Sequence, residues 1–384
     1  MIKFALKLFH NIYVYFTFKI LSLLFHKNNS KHRNSFLIIN TGFLGDVIIT
    51  SLFMENEEKF EHYSKIYYLF INQHKELFKE YSGKGCILYL NLKRYRYDIF
   101  YKIIMIIKLR KLSLKYAINV SAARGFTNDS LTLFSGALEK YYINDINFYL
   151  SEKTNKYIVD YYTNRLFTDI ENEYEKHKLL INWLTNSDKE IQFFNKGVFN
   201  TYGISIDKTN EKKIISIAPL TRNCDKNWCM RNFKELIKIL SENFFIYLIG
   251  SRKQKNQLDF LKDNNANVIN LAGKFKLYQL PSILKKSSLF IGNDSGLTHL
   301  AAKLNIPAIA IIGGGSYGRF FPIPFNDLDI KYTFYFMDCF GCDWKCKYKE
   351  KYCLTKISVE DILKNVDFLI GNIYNYKNIN SKDE

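Results

Sequence analysis

Asp46 is the acidic residue whose position most directly suggests chemistry. It closes the glycine-containing turn Thr41-Gly42-Phe43-Leu44-Gly45-Asp46, which follows a short apolar run. A carboxylate placed there can act as a general base on a substrate hydroxyl. It can equally cap the first turn of a helix, where exposed N–H groups favour acidic side chains. The turn has neither the G-x-G-x-x-G spacing of a dinucleotide site nor the Gly-Lys-Ser/Thr of a P-loop, which excludes both.

A second group of polar residues is Asp294-Ser295-Gly296-Leu297-Thr298-His299, directly after the apolar run that begins at Leu289. Ser295 and Gly296 would present backbone N–H groups at the start of a helix, which is a ready site for a diphosphate. Asp294 can accept hydrogen bonds from sugar hydroxyls. His299 lies one turn into the predicted helix and would face the same side, although a helical histidine is often a buried structural group.

A third loop, from Ala218 to Trp228, contains Thr221 and Lys226, and both side chains are able to contact phosphate. A charged loop of this kind is commonly solvated surface, so the loop carries little weight alone.

Four of the seven cysteines, Cys339, Cys342, Cys346 and Cys353, lie within fifteen residues. An odd number crowded in this way is not a secreted disulfide framework. Four thiolates are able to bind a structural zinc ion, but the spacing is not that of a standard pair of zinc knuckles. Zinc, reduced thiols and disulfides stay open as alternatives, and none of them points to a catalytic metal.

Apolar strand-like runs alternate with helical patterns along most of the chain, which predicts an α/β fold with parallel, doubly wound sheets. Two such sets appear, separated by a polar stretch rich in Asn and Lys. The predicted strands are 36–39, 66–70, 86–90, 115–120, 214–218, 244–249, 268–270, 289–291 and 308–312.

The pattern predicts four segments. Residues 1–34 form a basic amphipathic segment, 35–205 and 206–356 form two Rossmann-like domains, and 357–384 form a closing helix with a polar tail. Ser358 stands three residues before Asp361, which resembles a capping box at the start of that helix.

The 384 residues carry a formal charge of +18, which indicates an anionic partner such as nucleic acid, a phosphorylated substrate or acidic lipid. One third of that charge lies in residues 1–34, which contain six lysines and arginines and no acid. Lys7, His10 and Lys19 interrupt the apolar run that a spanning helix needs, and no small-residue cleavage site follows. We expect an amphipathic helix lying in a membrane interface. The alternatives are a helix packed on its own domain and a short signal anchor with snorkelling lysines.

Taken in order, these segments resemble glycosyltransferase family 9, the ADP-heptose:lipopolysaccharide heptosyltransferases and their relatives. The most specific match is Asp294-Ser295-Gly296-x-x-His299-x-Ala301-Ala302 with Pro307 five residues on. The turn at Gly42 to Val47, the Thr221-Arg222 to Trp228 loop and Asn270-Leu271-Ala272-Gly273-Lys274 support it. The resemblance covers about residues 35 to 372.

The resemblance implies a GT-B fold, in which two Rossmann-like domains face each other and bind the acceptor and the nucleotide sugar respectively. It implies an inverting, metal-independent transferase without a required cofactor, with Asp46 as general base and Gly42 and Gly45 in the acceptor loop. Lys226 would neutralise the departing diphosphate, Thr221 would bond it, and Asp294 would hold the transferred sugar. Ser295, Gly296 and His299 would complete the donor site. The expected partners are ADP-heptose, an anionic lipid-linked saccharide and the cytoplasmic face of the membrane.

Two departures bear on the donor. Gln254 stands where many members carry a glutamate for the ribose hydroxyls, and one residue is inserted between Thr221 and Lys226. A related enzyme with another sugar or glycan acceptor therefore stays as an alternative, as does a non-catalytic nucleotide-binding protein. A nucleic-acid-binding protein is the alternative from another class, but no basic helix, zinc-finger spacing or aromatic RNA-binding motif accompanies the charge. No nucleic acid partner is therefore expected.

Overall fold

A computed structural model describes residues 2–25, 27–28, 31–144, 150–166, 169–201, 203–204 and 212–371, with side chains from His10 onward. The chain divides into two compact units, Met1–Gln192 and Phe193–Glu384. The predicted boundary between residues 205 and 206 and the predicted polar tail after residue 371 lie outside the described residues.

The first unit contains a six-stranded sheet in the order β3-β2-β1-β4-β5-β6, in which all neighbouring strands are parallel. Strands β1 and β4 are neighbours although two strands separate them in sequence, so the strand order reverses there. The strands are β1 (Ser35–Ile39), β2 (Lys65–Ile71), β3 (Cys86–Leu90), β4 (Tyr116–Asn119), β5 (Glu139–Tyr142) and β6 (Asn164–Arg165).

Seven helices accompany this sheet in the part of the unit that the structure describes. They are α1 (Ile2–Phe25), α2 (Leu44–Glu55), α3 (Leu92–Tyr97), α4 (Ile99–Arg110), α5 (Phe126–Leu133), α6 (Glu152–Val159) and α7 (Glu173–Thr185). Val14, Phe18 and Leu21 of α1 are fully buried in a cluster with Ile106 and Phe134. One face of the predicted interface segment is thus part of the core of the unit. Within the described residues, no helix has the length and apolarity to cross a membrane.

The second unit repeats the architecture, with a parallel sheet in the order β12-β11-β10-β7-β8-β9. The strand order reverses between β7 and β10. The strands are β7 (Ile214–Ala218), β8 (Phe245–Leu248), β9 (Val268–Asn270), β10 (Leu289–Asn293), β11 (Ala308–Ile311) and β12 (Ile330–Thr333). The α-helices of the described part of this unit are α8 (Met230–Leu240), α9 (Lys255–Lys262), α10 (Leu280–Leu284), α11 (Gly296–Lys303), α12 (Tyr352–Thr355) and α13 (Val359–Ile370).

Helix α13 is the predicted closing helix. Ser358 caps it, because the Ser358 hydroxyl accepts the N–H of Asp361 at 3.1 Å and the Asp361 carboxylate accepts the N–H of Ser358 at 2.9 Å. Its apolar face, including Ile362, Leu363 and Val366, packs into the core of the second unit.

All nine predicted strands are present within one or two residues of their predicted ends. The prediction missed β5, β6 and β12. Strands β5 and β12 carry charged residues among their tyrosines, and β6 has only two residues, so none of the three shows an apolar run. Hydrogen bonding to a neighbouring strand stabilises these three strands, although their composition does not mark them as strands.

Candidate active site

The residues singled out by sequence lie at the carboxyl edges of the two sheets, and most of them at the points where the strand order reverses. In the first unit, β1 leads into the turn that carries Asp46. In the second, β7 leads into the loop of Thr221 and Lys226, and the adjacent β10 leads into Asp294. Loops diverge above such a point and leave a crevice, which is where open α/β sheets bind ligands.

Backbone groups of its own turn hold the Asp46 carboxylate. Its Oδ2 accepts the N–H of Phe43 at 2.7 Å, so Asp46 caps helix α2 from within the first turn. Gly42 lies directly beneath it, because a Cβ atom at Gly42 would stand 2.5 Å from Asp46 Oδ2. Asn40, the residue after β1, accepts the N–H of Gly42 at 2.8 Å and fixes the turn from below. The turn therefore both anchors the carboxylate and requires glycine at position 42.

A buried histidine supports the same helix from the other side. Thr50 donates to the Asp46 carbonyl at 2.9 Å, and His177 Nε2 lies 3.3 Å from the Thr50 hydroxyl. His177 Nδ1 lies 2.7 Å from the carbonyl of Glu173. Burial lowers the pKa of His177 to about 4, so the imidazole is neutral at physiological pH.

A buried ion pair stabilises the loop after β4, next to the Asp46 turn. Arg124 donates to both carboxylate oxygens of Asp129 at 3.1 Å, and the Tyr162 hydroxyl donates to Asp129 at 2.8 Å. Burial alone would lower the pKa of Arg124, but the Asp129 carboxylate holds it above its usual value. Both side chains are fully buried, so the pair has a structural role.

The donor-side residues Lys226 and Asp294 form an ion pair across 68 residues of sequence. Lys226 Nζ donates to Asp294 Oδ2 at 2.6 Å, and the Ser316 hydroxyl donates to the same oxygen at 2.7 Å. The Asp294 side chain is 5% exposed and that of Lys226 is 19% exposed. A cation and a hydroxyl thus hold Asp294 in a low-dielectric surrounding, while the ammonium of Lys226 stays partly accessible.

Asn293, the last residue of β10, joins the two donor loops. Its Oδ1 accepts the N–H of Trp228 at 3.0 Å, and its Nδ2 donates to the carbonyl of Pro219 at 2.7 Å. The Thr221 N–H donates to Asn227 at 2.8 Å, and its hydroxyl donates to the carbonyl of Asn223 at 2.5 Å. Thr221 therefore helps to fold its own loop.

Gln254 reaches the same loop from the end of β8. Its Oε1 accepts the N–H of Ser251 at 2.8 Å, and its Nε2 lies 3.3 Å from the carbonyl of Leu220. In this arrangement the amide links the loops after β7 and β8.

Helix α11 begins at Gly296 with Ser295 as its N-cap residue. The Ser295 hydroxyl lies 3.3 Å from that of Thr298. His299 is 2% exposed and stacks on Phe321 with ring centroids 4.3 Å apart. Burial lowers its pKa to about 4, while Asp294 and Lys226 act on it in opposite directions. The structure thus places His299 inside the unit as a neutral ring beside the ion pair.

All four clustered cysteines line one cavity, together with Trp344 and Gly315 among others. The seven cysteines of the chain form no disulfide. Among the described residues, no three ligand side chains are placed to hold a metal ion. Burial is the main reason that the pKa of the Cys339 thiol is raised, and Coulombic repulsion from Asp338 and the other three cysteines adds to it.

Trp344 of this loop lies beside the ion pair, with its ring 5.9 Å from Lys226 Nζ. The ring packs on Gly313, where an added Cβ atom would stand 2.7 Å from it. The loop is joined to the neighbouring glycines by hydrogen bonds from Gly341 N to the Gly314 carbonyl and from Asp343 N to the Gly315 carbonyl, at 2.8 and 2.9 Å. The cysteine-rich loop therefore packs beside the Lys226–Asp294 ion pair.

Ser316, Trp344, Asn40 and Asn119 were not predicted from the sequence, and Asn270 was predicted only as part of a motif. Asn40, Asn119 and Asn270 each accept the N–H two residues later. An asparagine at the end of an apolar run was a signal for these turns. No local signal marked Ser316 or Trp344, because their partners are distant in sequence.

Two doubly wound parallel sheets, each with polar loops at the point where the strand order reverses, define the GT-B class of fold. The model for glycosyltransferase family 9 (heptosyltransferase) matches residues 91–347, which is well over half of the chain. The protein belongs to this family.

Curated relatives include a lipopolysaccharide core heptosyltransferase, OpsX, from Haemophilus influenzae, 27% identical over 167 residues. A lipooligosaccharide heptosyltransferase 2 from Campylobacter jejuni is 26% identical over 170 residues. The two alignments cover 40% and 42% of this chain, and they span about half of each relative, 47% and 53%.

Among solved structures, a family 9 glycosyltransferase from Veillonella parvula superposes with a TM-score of 0.64 at 16% identity, covering 89% of this chain and 98% of the other. The E. coli heptosyltransferase WaaC with ADP-2-deoxy-2-fluoro heptose gives 0.62 at 15% identity, covering 87% and 99%. These likenesses support the fold.

Proposed function

We propose that the protein transfers a heptose from a nucleotide diphosphate sugar to a saccharide core acceptor of lipopolysaccharide or lipooligosaccharide. The observation that carries the proposal is that a family 9 chain has Asp46, Lys226, Asp294 and the start of α11 at the strand-order reversals of its two sheets. The names of the curated relatives agree with a heptose donor and a lipopolysaccharide core acceptor.

The proposed reaction is a single inverting displacement. The Asp46 carboxylate takes the proton of the acceptor hydroxyl as that oxygen forms a bond to the anomeric carbon. The bond from the anomeric carbon to the diphosphate oxygen breaks, and its electron pair leaves with the nucleoside diphosphate. No metal is needed in this scheme, because a positive side chain can stabilise the charge that develops on the leaving group.

Lys226 is the residue that supplies this positive charge. Its Nζ is held at 2.6 Å from Asp294, which orients the ammonium while leaving it partly exposed. Asp294 has its second contact from Ser316, so its carboxylate is pre-organised for sugar hydroxyls. The N–H groups at the start of α11 are the remaining donors for a phosphate oxygen.

ADP is the nucleotide we favour. WaaC, which shares the fold, was solved with ADP and with an ADP-heptose analogue. Gln254 in place of a glutamate still offers an amide to a ribose hydroxyl once its contacts to Ser251 and Leu220 are exchanged. We place the reaction at the inner face of the cytoplasmic membrane, because the proposed acceptor is lipid-linked and anionic.

The direct test is transfer from ADP-heptose to core-truncated lipopolysaccharide in detergent, with the anomeric configuration of the product read by NMR. Formation of a heptosylated product with inverted configuration and without added metal supports the proposal. Thermal stabilisation by a panel of ADP, UDP, GDP and CDP comes first, since a ligand at ~100 times its Kd adds roughly 2.7 kcal/mol. Stabilisation by another nucleotide alone would overturn the proposal that the donor is ADP-heptose. No stabilisation by any of the four would overturn the proposal that the protein is a nucleotide-sugar transferase.

A further inference from the structure

Helix α4 and the end of α3 expose a stripe of large apolar side chains. Tyr97 and Phe100 are 77% and 76% exposed, and Ile104 and Ile107 continue the stripe at 49% and 40%. Within α4, the spacing of four and three residues keeps Phe100, Ile104 and Ile107 on one side of the helix, and Tyr97 precedes them at the end of α3. The opposite side of α4, including Met105 and Leu109, is buried against the sheet. A core-facing helix of this kind normally turns a polar side to water.

Helix α1 lies alongside α4 and runs in the same direction. At the middle of α1, the Tyr13 hydroxyl donates to the carbonyl of Arg96 at 2.8 Å and accepts from Lys102 Nζ at 2.7 Å. Just beyond its end, the carbonyl of Lys27 accepts from Arg110 at 2.7 Å. The two helices are therefore adjacent along most of the length of α4.

The side of α1 that Tyr13 marks is also apolar and exposed. Ile20 and Leu24 follow Tyr13 at helical spacing and are 48% and 56% exposed, and Phe16 and Leu23 beside them are 60% and 74% exposed. Helix α1 already buries Val14, Phe18 and Leu21 in the core. Its exposed apolar residues therefore form a second apolar face. We call the exposed apolar residues of α1, α3 and α4 the helix-pair face.

Most of the net charge of the chain lies in the segments that form this face. Residues 2–33 and 92–111 contain thirteen lysines and arginines and one acid, Asp98, which is paired with Arg94. These segments supply +12 of the formal +18. Lys19, Lys93, Lys108 and Lys111 are exposed beside the apolar side chains.

We propose that the helix-pair face docks on the surface of an anionic phospholipid bilayer, with Phe16, Leu23 and Phe100 inserted among the lipids and the lysines at the headgroups. Apolar insertion combined with basic charge is the chemistry of interfacial helices. A nucleic acid partner would use the charge but leave the aliphatic stripe in water. Helix α4 adds to this surface an apolar stripe that the sequence did not predict. Helix α1 lies on the bilayer and does not cross it, because its other face is buried in the protein core.

The inference deepens the proposed function and rests on it, because it supplies the surface at which a lipid-linked acceptor is met. Deleting α1 is not a clean test, since deletion would expose the core around Ile106 and Phe134. Substitutions of exposed side chains avoid that damage.

The experiment is co-sedimentation of the full chain with acceptor-free vesicles of phosphatidylcholine, with or without about 30% phosphatidylglycerol. We expect binding to the anionic vesicles that weakens with salt, as screening requires. The variant Phe100→Ser/Ile104→Ser/Ile107→Ser is expected to bind these vesicles at least about tenfold more weakly than the parent. The matched control is Phe260→Ser, an aromatic residue that is 59% exposed in the second unit, and it should bind like the parent.

Transfer activity of the triple variant on a detergent-dispersed acceptor is expected to be unchanged, which separates docking from chemistry. Lipid binding without any transfer would overturn the proposed function and leave the docking surface standing. Equal vesicle binding by the parent and the triple variant would overturn the docking surface. Salt-sensitive binding to DNA with no binding to vesicles would overturn it in favour of a nucleic acid partner.

Discussion

The turns that carry Asp46 and Asp294 both lie where the strand order of their unit reverses, yet they hold their carboxylates differently. Asp46 follows the first strand of its sheet and is fixed by the N–H of Phe43 above a glycine. Asp294 follows the fourth strand of its sheet and is fixed by Lys226 and Ser316. A backbone N–H group of its own turn thus fixes Asp46, whereas two side chains, a cation and a hydroxyl, fix Asp294.

The difference is in where the groups that fix each carboxylate come from. The Asp46 carboxylate is held within its own turn, whereas Asp294 is held by side chains from two other loops. We propose Asp46 as the general base and Asp294 as the anion that orients Lys226 and a sugar. The first unit also buries two histidines near its turn, His74 and His177, and the second unit buries His299. Burial lowers the pKa of each of them.

The largest expected effect is that of Asp46→Asn. The amide oxygen can still accept the N–H of Phe43, so the cap is kept while the basicity is lost. We expect transfer to fall by about 10²- to 10⁴-fold, with unchanged thermal stabilisation by ADP. Turnover near that of the parent would show that Asp46 is not the general base and serves as a helix cap.

Lys226→Ala is expected to lower kcat by about 10²- to 10³-fold, because the developing charge on the diphosphate loses its cation. Lys255 and Asp259 provide the matched control, since they form an ion pair of the same 2.6 Å length with exposed side chains. Lys255→Ala should leave kcat and stability nearly unchanged. Equal losses in the two variants would contradict a role for Lys226 in chemistry.

Gly42→Ala tests whether placement of the Asp46 carboxylate matters apart from its charge. The added Cβ atom would stand 2.5 Å from Asp46 Oδ2, so the carboxylate must move. We expect about tenfold to hundredfold slower transfer with retained donor binding. Gly125→Ala is the control in the same unit, because nothing lies within 4 Å of a Cβ atom there. Normal kinetics in Gly42→Ala would show that the turn tolerates the shift.

The buried histidines predict a gradual acid sensitivity in both units. A histidine of pKa 6.5 in the unfolded chain binds a proton that folded His177 or His299, with a pKa of about 4, does not. The free energy of unfolding is therefore highest above pH 6.5 and falls as the pH drops towards 4. Each histidine should contribute a loss of about 2 kcal/mol between pH 7 and pH 5.

Denaturant unfolding at several pH values measures this loss. His177→Gln/His299→Gln should flatten the pH dependence, whatever the variant does to stability at pH 7. An unchanged slope in the double variant would assign the acid sensitivity to other groups.

The strands and the loops that carry the candidate residues were predictable because they depend on local pattern. Buried parallel strands are apolar runs, as in 214–218, and a glycine or an asparagine marks the turn that follows. Strands β5 and β12 were not predictable, because residues such as Glu139 and Lys331 interrupt the run and order comes from the neighbouring strand. The two faces of α1 were also hidden, since an apolar side chain looks the same in sequence whether it packs inwards or outwards.

The amino-acid sequence by itself determined the two α/β units, the family, and the carboxylates at positions 46 and 294, since each follows from residue types at short spacing. The tertiary structure alone decided that Lys226 pairs with Asp294, that Ser316 and Trp344 join them, and that α1 packs beside α4. These contacts join residues far apart in the chain. Which strands and helices become neighbours is set by the packing of the whole unit, and local spacing carries no record of it.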